Sequence, residues 1–179
     1  MFPFRNLSEF VTLRPESNPI RHSRDRQIME RKHRISAGAI VIHGGRILLA
    51  RYGDRSGKSS LVGPGGGVLS DEGINEAAIR EVREETGLRV RPYRILVVED
   101  LFSRRYRMVK IWLLCELIGG RLRNTQGAMD EGITEVGWYR RDQLQNEVVY
   151  PSSLLTCDWD SFFEDNWESK YLESRGANF

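Results

Sequence analysis

A run of glycine and proline, Gly63-Pro64-Gly65-Gly66-Gly67, stands directly before a helix-forming segment whose glutamates fall on its apolar side. The glycines mark a loop that turns tightly or lets its backbone approach something closely. Ser70-Asp71-Glu72 then supplies a helix start, with an N-cap residue and negative charge where the macrodipole favours it. A helix is expected over about residues 72–86, ended by Gly87 in the left-handed conformation with Leu88 folding back toward Val82. At 100° per residue, with Ile74 as origin, Ala77, Ala78 and Val82 form the inward face. Glu81 and Glu85 lie within about 20° of its centre, and Glu84 sits on the flank.

Carboxylates in the middle of a buried face contradict ordinary patterning, because an unpaired buried charge costs several kcal/mol or gives up its ionisation. A solvated acidic helix paired internally to Arg80 and Arg83 would carry its acids on the side away from Ile74 and Ala78, which this spacing does not do. A hard divalent cation removes the conflict. Mg2+ takes oxygen ligands octahedrally, from carboxylates together with water and substrate phosphate, and Mn2+ can stand in for it.

Residues 66–88 follow the pattern G-x5-E-x7-R-E-U-x-E-E-x-G-U, with U hydrophobic, filled by Gly66, Glu72, Arg80, Glu81, Val82, Glu84, Glu85, Gly87 and Leu88. This resembles the signature of the Nudix hydrolases at every fixed position. The resemblance implies a Nudix-type α/β/α sandwich with a mixed β-sheet, covering roughly residues 34–150. It also implies an enzyme that hydrolyses a pyrophosphate bond in a nucleoside diphosphate derivative: a nucleotide or dinucleoside polyphosphate, a nucleotide sugar or a modified nucleoside triphosphate. The Gly65 carbonyl and the carboxylates of Glu81, Glu84 and Glu85 would hold one or more Mg2+ ions, and Arg80 would keep Glu72 in position. The base would be a glutamate of the signature helix, such as Glu81 or Glu84, or an acid of a later loop, where Asp130, Glu131 and Glu135 stand. A catalytically silent nucleotide-sensing module is the alternative; such a module could lose Glu84 or Glu85, and this chain retains both.

Substrate contacts are expected from Arg104 and Arg105, with Arg107, at the tip between two strands, where guanidinium groups can grip phosphates bidentately. Tyr106 and Trp138 are candidates to stack on a base. Family members acting on ADP-ribose often carry a proline where this chain has Ser103 and Arg104, whereas Tyr106 is closer to the pattern of those acting on dinucleoside polyphosphates. Gly63 departs from the commoner pattern, in which a bulky apolar residue precedes Pro-Gly-Gly.

The rest of the chain frames this segment. Ile35 to His43 and Arg46 to Tyr52, joined by Gly44-Gly45, read as a β-hairpin, followed by a polar loop over Asp54 to Ser60. Further strands are expected near Leu88 to Val98, Met108 to Leu117 and Thr134 to Tyr139, and a short helix near Arg141 to Gln145. Trp159, Phe163, Trp167 and Tyr171 recur every four residues among acids and predict an amphipathic carboxy-terminal helix within a domain of residues 34–179. Residues 1–33 form an amino-terminal arm. Through residue 34 the chain carries eight Lys/Arg against four Asp/Glu, and the remainder nineteen against twenty-one. The arm lacks a DNA-reading motif, so nucleic acid is not expected as a partner; an interaction or oligomerisation arm, including a homodimer, or plain disorder is expected instead. With 40% hydrophobic and 29% charged residues and no apolar run long enough to span a bilayer, no membrane contact is expected. The amino terminus lacks a secretory pattern, and Cys115 and Cys157 belong to no paired motif, which points to the reducing cytoplasm.

Overall fold

The computed structural model describes residues 32–53, 57–102 and 106–176. Strands β1 (Lys32–His43) and β2 (Arg46–Gly53) form the expected hairpin. They pair only at its base, Ile42 with Ile47 and His43 with Arg46, and then diverge. That divergence divides the nine strands of the described residues into two curled halves.

On one side, β1 runs parallel to β6 (Tyr106–Gly120), which pairs antiparallel with β5 (Leu88–Phe102). On the other, β2 pairs with β3 (Ser59–Val62) and with β7 (Ile133–Tyr139). The short glycine strand β4 (Gly65–Gly67) takes the edge of β1 left open by the divergence, Ser36 to Gly38 opposite Gly67 to Gly65. Two outer strands complete the sheet, β8 (Val149–Tyr150) beside β3 and β9 (Lys170–Gly176) beside β5.

Alternation along the strands sends residues to two cores. Ala37, Ala39, Val41, Leu113 and Cys115 face α1 (Ile74–Thr86), whose Ala77, Ala78 and Val82 complete that cluster. Ile40, Leu49, Leu61, Trp112 and Leu114 face the opposite side. There the sheet is covered by Leu144, by Leu154 of α3 (Ser153–Thr156), and by Trp159 and Phe162. Helical layers on both faces of a mixed sheet make the α/β/α sandwich. No helix among the described residues is long and apolar enough to cross a membrane.

Several elements differ from expectation. The helix begins at Ile74 with Gly73 as its cap, two residues late, because Glu72 is occupied elsewhere: its carboxylate accepts from the Leu69 amide at 2.9 Å and from Arg80. Gly87 ends the helix at φ 72°, as expected. Ser59 and Ser60 belong to β3 rather than to a loop, and the Arg141–Leu144 segment is a single 3-10 turn. A five-residue helix, α2 (Gln126–Asp130), capped by the Thr125 hydroxyl, takes up part of the loop expected around Asp130 and Glu131.

The carboxy-terminal amphipathic helix is not formed. Trp159 and Phe162, three apart around a 3-10 turn (Asp160–Phe163), are the buried pair, while Phe163 points outward. Tyr171 lies in β9, which satisfies the hydrogen bonds along the otherwise open edge of β5. Residues 1–31, and with them nearly all of the amino-terminal arm, lie outside the described residues.

Candidate active site

The candidate site lies where β1 and β2 part. β4 crosses the gap and α1 lies against it, so the helix face carrying Glu81 and Glu85 meets the glycine strand. Contact is close enough that a Cβ on Gly66 would stand 2.6 Å from the Glu81 carboxyl carbon. The Ser36 hydroxyl holds the strand in place by donating to the Gly66 carbonyl at 2.6 Å.

Both glutamates are buried, Glu81 at 5% and Glu85 at 1% exposure, as their helical phase requires. Glu131, in the loop between α2 and β7, joins them: one carboxylate oxygen from each of the three lies within 4.8 Å of the others. Their compensation is incomplete. Arg80 donates to Glu81 at 2.7 Å. One Glu85 oxygen accepts from the Gly65 amide at 3.2 Å and, at 3.5 Å, from the Tyr52 hydroxyl, but Oε2 is buried with no hydrogen-bond partner. Burial, reinforced by the Glu81 and Glu131 charges, pushes Glu85 up to about 8; burial also raises Glu81, against the pull of Arg80. Tyr52 is raised by burial and then by the Glu85 charge.

Three carboxylates that repel one another around an orphaned oxygen fit a hard divalent cation, which supplies the missing positive charge through oxygen ligands.

Arg80 braces the arrangement from outside. Its guanidinium reaches the Glu72 carboxylate at 2.6 and 3.0 Å, the Gly67 carbonyl at 3.0 Å and Glu84 at 3.0 Å, as well as Glu81. Arg80 pulls Glu72 down to about 2, with help from the Leu69 amide. The Arg80–Glu72 pair read from the sequence is therefore present. A cleft of about 750 Å3 opens beside the cluster, lined by Arg34, Gly66, Gly67, Arg80, Glu81 and Glu131 among others.

Other expected site residues are placed differently. Glu84 is exposed on the flank of α1, held by Arg80 and outside the three-carboxylate group. Glu135 is also outside it; β2–β7 pairing sets it opposite Arg51, 3.7 Å from that guanidinium. Asp130 accepts from the Gln126 amide. Trp138, half-buried, packs against the α1-side core, its ring 5.9 Å from that of His43. Tyr106 lies beneath the Arg34 guanidinium, 5.4 Å from its ring centroid, and packs with Leu101 and Met108. Arg107 is ion-paired with Asp100. Arg104 and Arg105 lie outside the described residues.

Sequence reasoning passed over Ser36, Tyr52 and Lys110. Of these, Lys110 left a signal, as a charged residue at an inward position of an apolar strand run. The departure at Gly63 also has a cause: a Cβ there would lie 2.7 Å from the Ala39 carbonyl oxygen and 2.8 Å from the Trp112 ring, which fills the space.

Comparison with known proteins gives a consistent assignment. A family model for the NUDIX domain matches residues 32–156. The chain is 32% identical over 108 residues to the 8-oxo-dGDP phosphatase NUDT18 of Danio rerio, covering 60% of this chain and 32% of that protein. It is 31% identical over 91 residues to the ADP-ribose pyrophosphatase of Methanocaldococcus jannaschii, covering 50% and 54%. The chain thus spans about a third of the first relative and about half of the second. Among solved structures, a NUDIX hydrolase from Nitrosomonas europaea superposes with a TM-score of 0.61 at 17% identity, covering 79% of each chain. An ADP-ribose pyrophosphatase from Streptococcus suis does so at 0.57 and 22%, covering 77% of this chain and 98% of that one. At these identities the superpositions speak for the fold.

Proposed function

Because the chain belongs to the Nudix family, we propose that it is a Mg2+-dependent hydrolase that cleaves a phosphoanhydride bond in a nucleoside diphosphate derivative. The observation that carries this reading is the gathering of Glu81, Glu85 and Glu131 around a buried carboxylate oxygen with no partner. Glu81, Glu85 and Glu131, with the Gly65 carbonyl, would hold the cation, and Mn2+ would substitute for Mg2+. Bound there, it would supply charge neutralisation at the phosphate oxygens and raise the acidity of a coordinated water.

The protein's own groups do the rest. Arg80 fixes the Glu81 carboxylate and ties the helix to β4 through the Gly67 carbonyl, so the ligand geometry is set before substrate arrives. Glu131 is the exposed member of the three, on a loop at the cleft, so it would hold the cation through one carboxylate oxygen and leave the other to take a proton from an attacking water. Glu84, exposed on α1 and paired with Arg80, is the other candidate base. An 8-oxo-dGDP phosphatase and an ADP-ribose pyrophosphatase among the relatives support a nucleoside diphosphate core in the substrate.

The test is a screen of nucleoside di- and triphosphates, ADP-ribose, nucleotide sugars and dinucleoside polyphosphates with Mg2+, identifying the phosphate-bearing products of each. Turnover of at least one, lost in Glu81→Gln, supports the proposal. No turnover of any of them with Mg2+ or Mn2+, by protein that binds these substrates, would point to a sensing module instead.

A further inference from the structure

Lys110 is a lysine in the wrong place for an ordinary core. It lies in β6 opposite Ser36 of β1 and Glu99 of β5, on the face that also carries Trp112. It is 7% exposed. Its stem passes over Gly38, where a Cβ would come 3.0 Å from the lysine Cε, and its ammonium rests 4.3 Å from the Trp112 ring centroid. That ring is itself fixed, donating from Nε1 to Glu99 at 2.7 Å.

Among the described residues the ammonium has no hydrogen bond and no ion pair, although Glu85, Glu99 and Glu81 are the charges that act on it most strongly. A buried ammonium without a partner is costly. So is the buried, partnerless Oε2 of Glu85. These opposite groups sense each other, yet no bond closes between them. The Trp112 stack holds the lysine on one side, and the Gly65 amide and Tyr52 hold the glutamate on the other. The two are brought near each other through β1 and β4: Gly38, over which the lysine stem passes, pairs with Gly65, whose amide donates to Glu85, so a cation lying against the acids, with an anion between it and the lysine, would answer both charges.

The outward direction is also marked. Arg34 shares this face of β1, two positions from Ser36, acts electrostatically on Lys110, and lines the cleft beside Glu81 and Glu131. Lys110 is thus a buried cation and Arg34 an exposed one at the cleft.

We propose that Lys110 is a substrate-binding residue that contacts a phosphoryl group of the metal-held diphosphate on the side away from the carboxylates, with Arg34 receiving the outer phosphoryl group. This rests on the hydrolase reading above and assigns two contacts to its diphosphate; an isolated phosphate monoester leaves one of the two cations unused. The ammonium needs no proton transfer to act. It is a preorganised donor whose interaction strengthens as negative charge accumulates on the phosphate oxygens.

The test separates metal binding from anion binding. Mn2+ is titrated into the full chain, wild type and Lys110→Met, by calorimetry, and inorganic pyrophosphate is then titrated into the Mn2+-loaded proteins. Methionine keeps the stem and removes the charge, and apolar replacement of a buried ion is commonly tolerated. Lys110→Gln serves as a second variant if it is not. The expected result is Mn2+ affinity equal to or tighter than wild type, since a repelling charge has gone, with pyrophosphate affinity lowered about tenfold or more. Lys110→Arg should recover part of the loss. Unchanged pyrophosphate affinity overturns the proposal, as does a parallel fall in Mn2+ affinity, which would make Lys110 a counter-ion for the carboxylates. Wild-type protein that binds no Mn2+ would instead overturn the hydrolase reading, and this one with it.

Discussion

Glu85→Gln should have opposite effects on stability and on activity. In metal-free protein the Glu85 side chain is held well above its ordinary value of 4.5, at about 8, chiefly by burial. A carboxyl raised in the folded state binds its proton more tightly there than in the unfolded chain. Below pH 4.5 both states are protonated and the group contributes nothing. Between 4.5 and 8 the unfolded chain releases the proton and the folded one keeps it, so stability falls as pH rises, and above 8 the full penalty applies. At 1.36 kcal/mol per pH unit that penalty is about 5 kcal/mol for a rigid site, and on the order of 3 once the site relaxes and admits water. Glutamine keeps the shape and the acceptor for the Gly65 amide while removing the ionisation. Urea unfolding of chelator-treated wild type and variant at pH 5 and pH 9 isolates the effect, because pH-independent costs of the substitution cancel between the two conditions. Because the unfolded chain has already released most of the proton at pH 5, the variant should gain about 2 kcal/mol relative to wild type from pH 5 to pH 9, and should lose about a hundredfold or more in turnover with Mg2+. An equal stability difference at both pH values would refute the claim that Glu85 is a strained, uncompensated acid.

Chelation should abolish hydrolysis, and Mg2+ or Mn2+ should restore it, as an all-oxygen donor set requires; restoration by Zn2+ alone, followed in the same product assay, would contradict that donor set. Gly66→Ala drives a methyl group into the Glu81 carboxylate, so it should cut turnover and Mn2+ affinity together, by about tenfold or more, while circular dichroism stays native. Gly63→Ala meets the Ala39 carbonyl and the Trp112 ring below 3.0 Å and should destabilise by about 1 to 3 kcal/mol in urea. A neutral result there would mean that the ring moves aside freely.

Local signals carried further than distant ones. The helix phase placed Glu81 and Glu85 on the buried face and Glu84 on the flank, and the structure has them so, because a thirteen-residue helix leaves little freedom in where its side chains point. The hairpin and the Gly87 terminator were legible for the same reason. Which later acid joins the cluster was not, since Glu131 and Glu135 are only four residues apart: Glu131 caps α2 before β7 begins and reaches Glu85, while the pairing of β7 with β2 sets Glu135 opposite Arg51. The carboxy-terminal aromatics misled because a four-residue repeat is compatible with a helix, while the segment's position is set by an unpaired edge of β5 and by a core that accepts Trp159 with Phe162.

Lys110 shows how the missing part could be read. Ile111 to Cys115 alternates its side chains between two cores, and Lys110, at the inward position just before, breaks the apolar pattern, just as Glu81 and Glu85 break the period of 3.6. Each violation taken alone can be answered by a local partner. Violations of opposite sign, on elements that the fold brings against the same short glycine strand and its neighbour β1, answer one another only through what lies between them. That pairing of faults, an acid on a helix face and a base on a strand face, locates the ligand of this site more closely than either pattern does by itself.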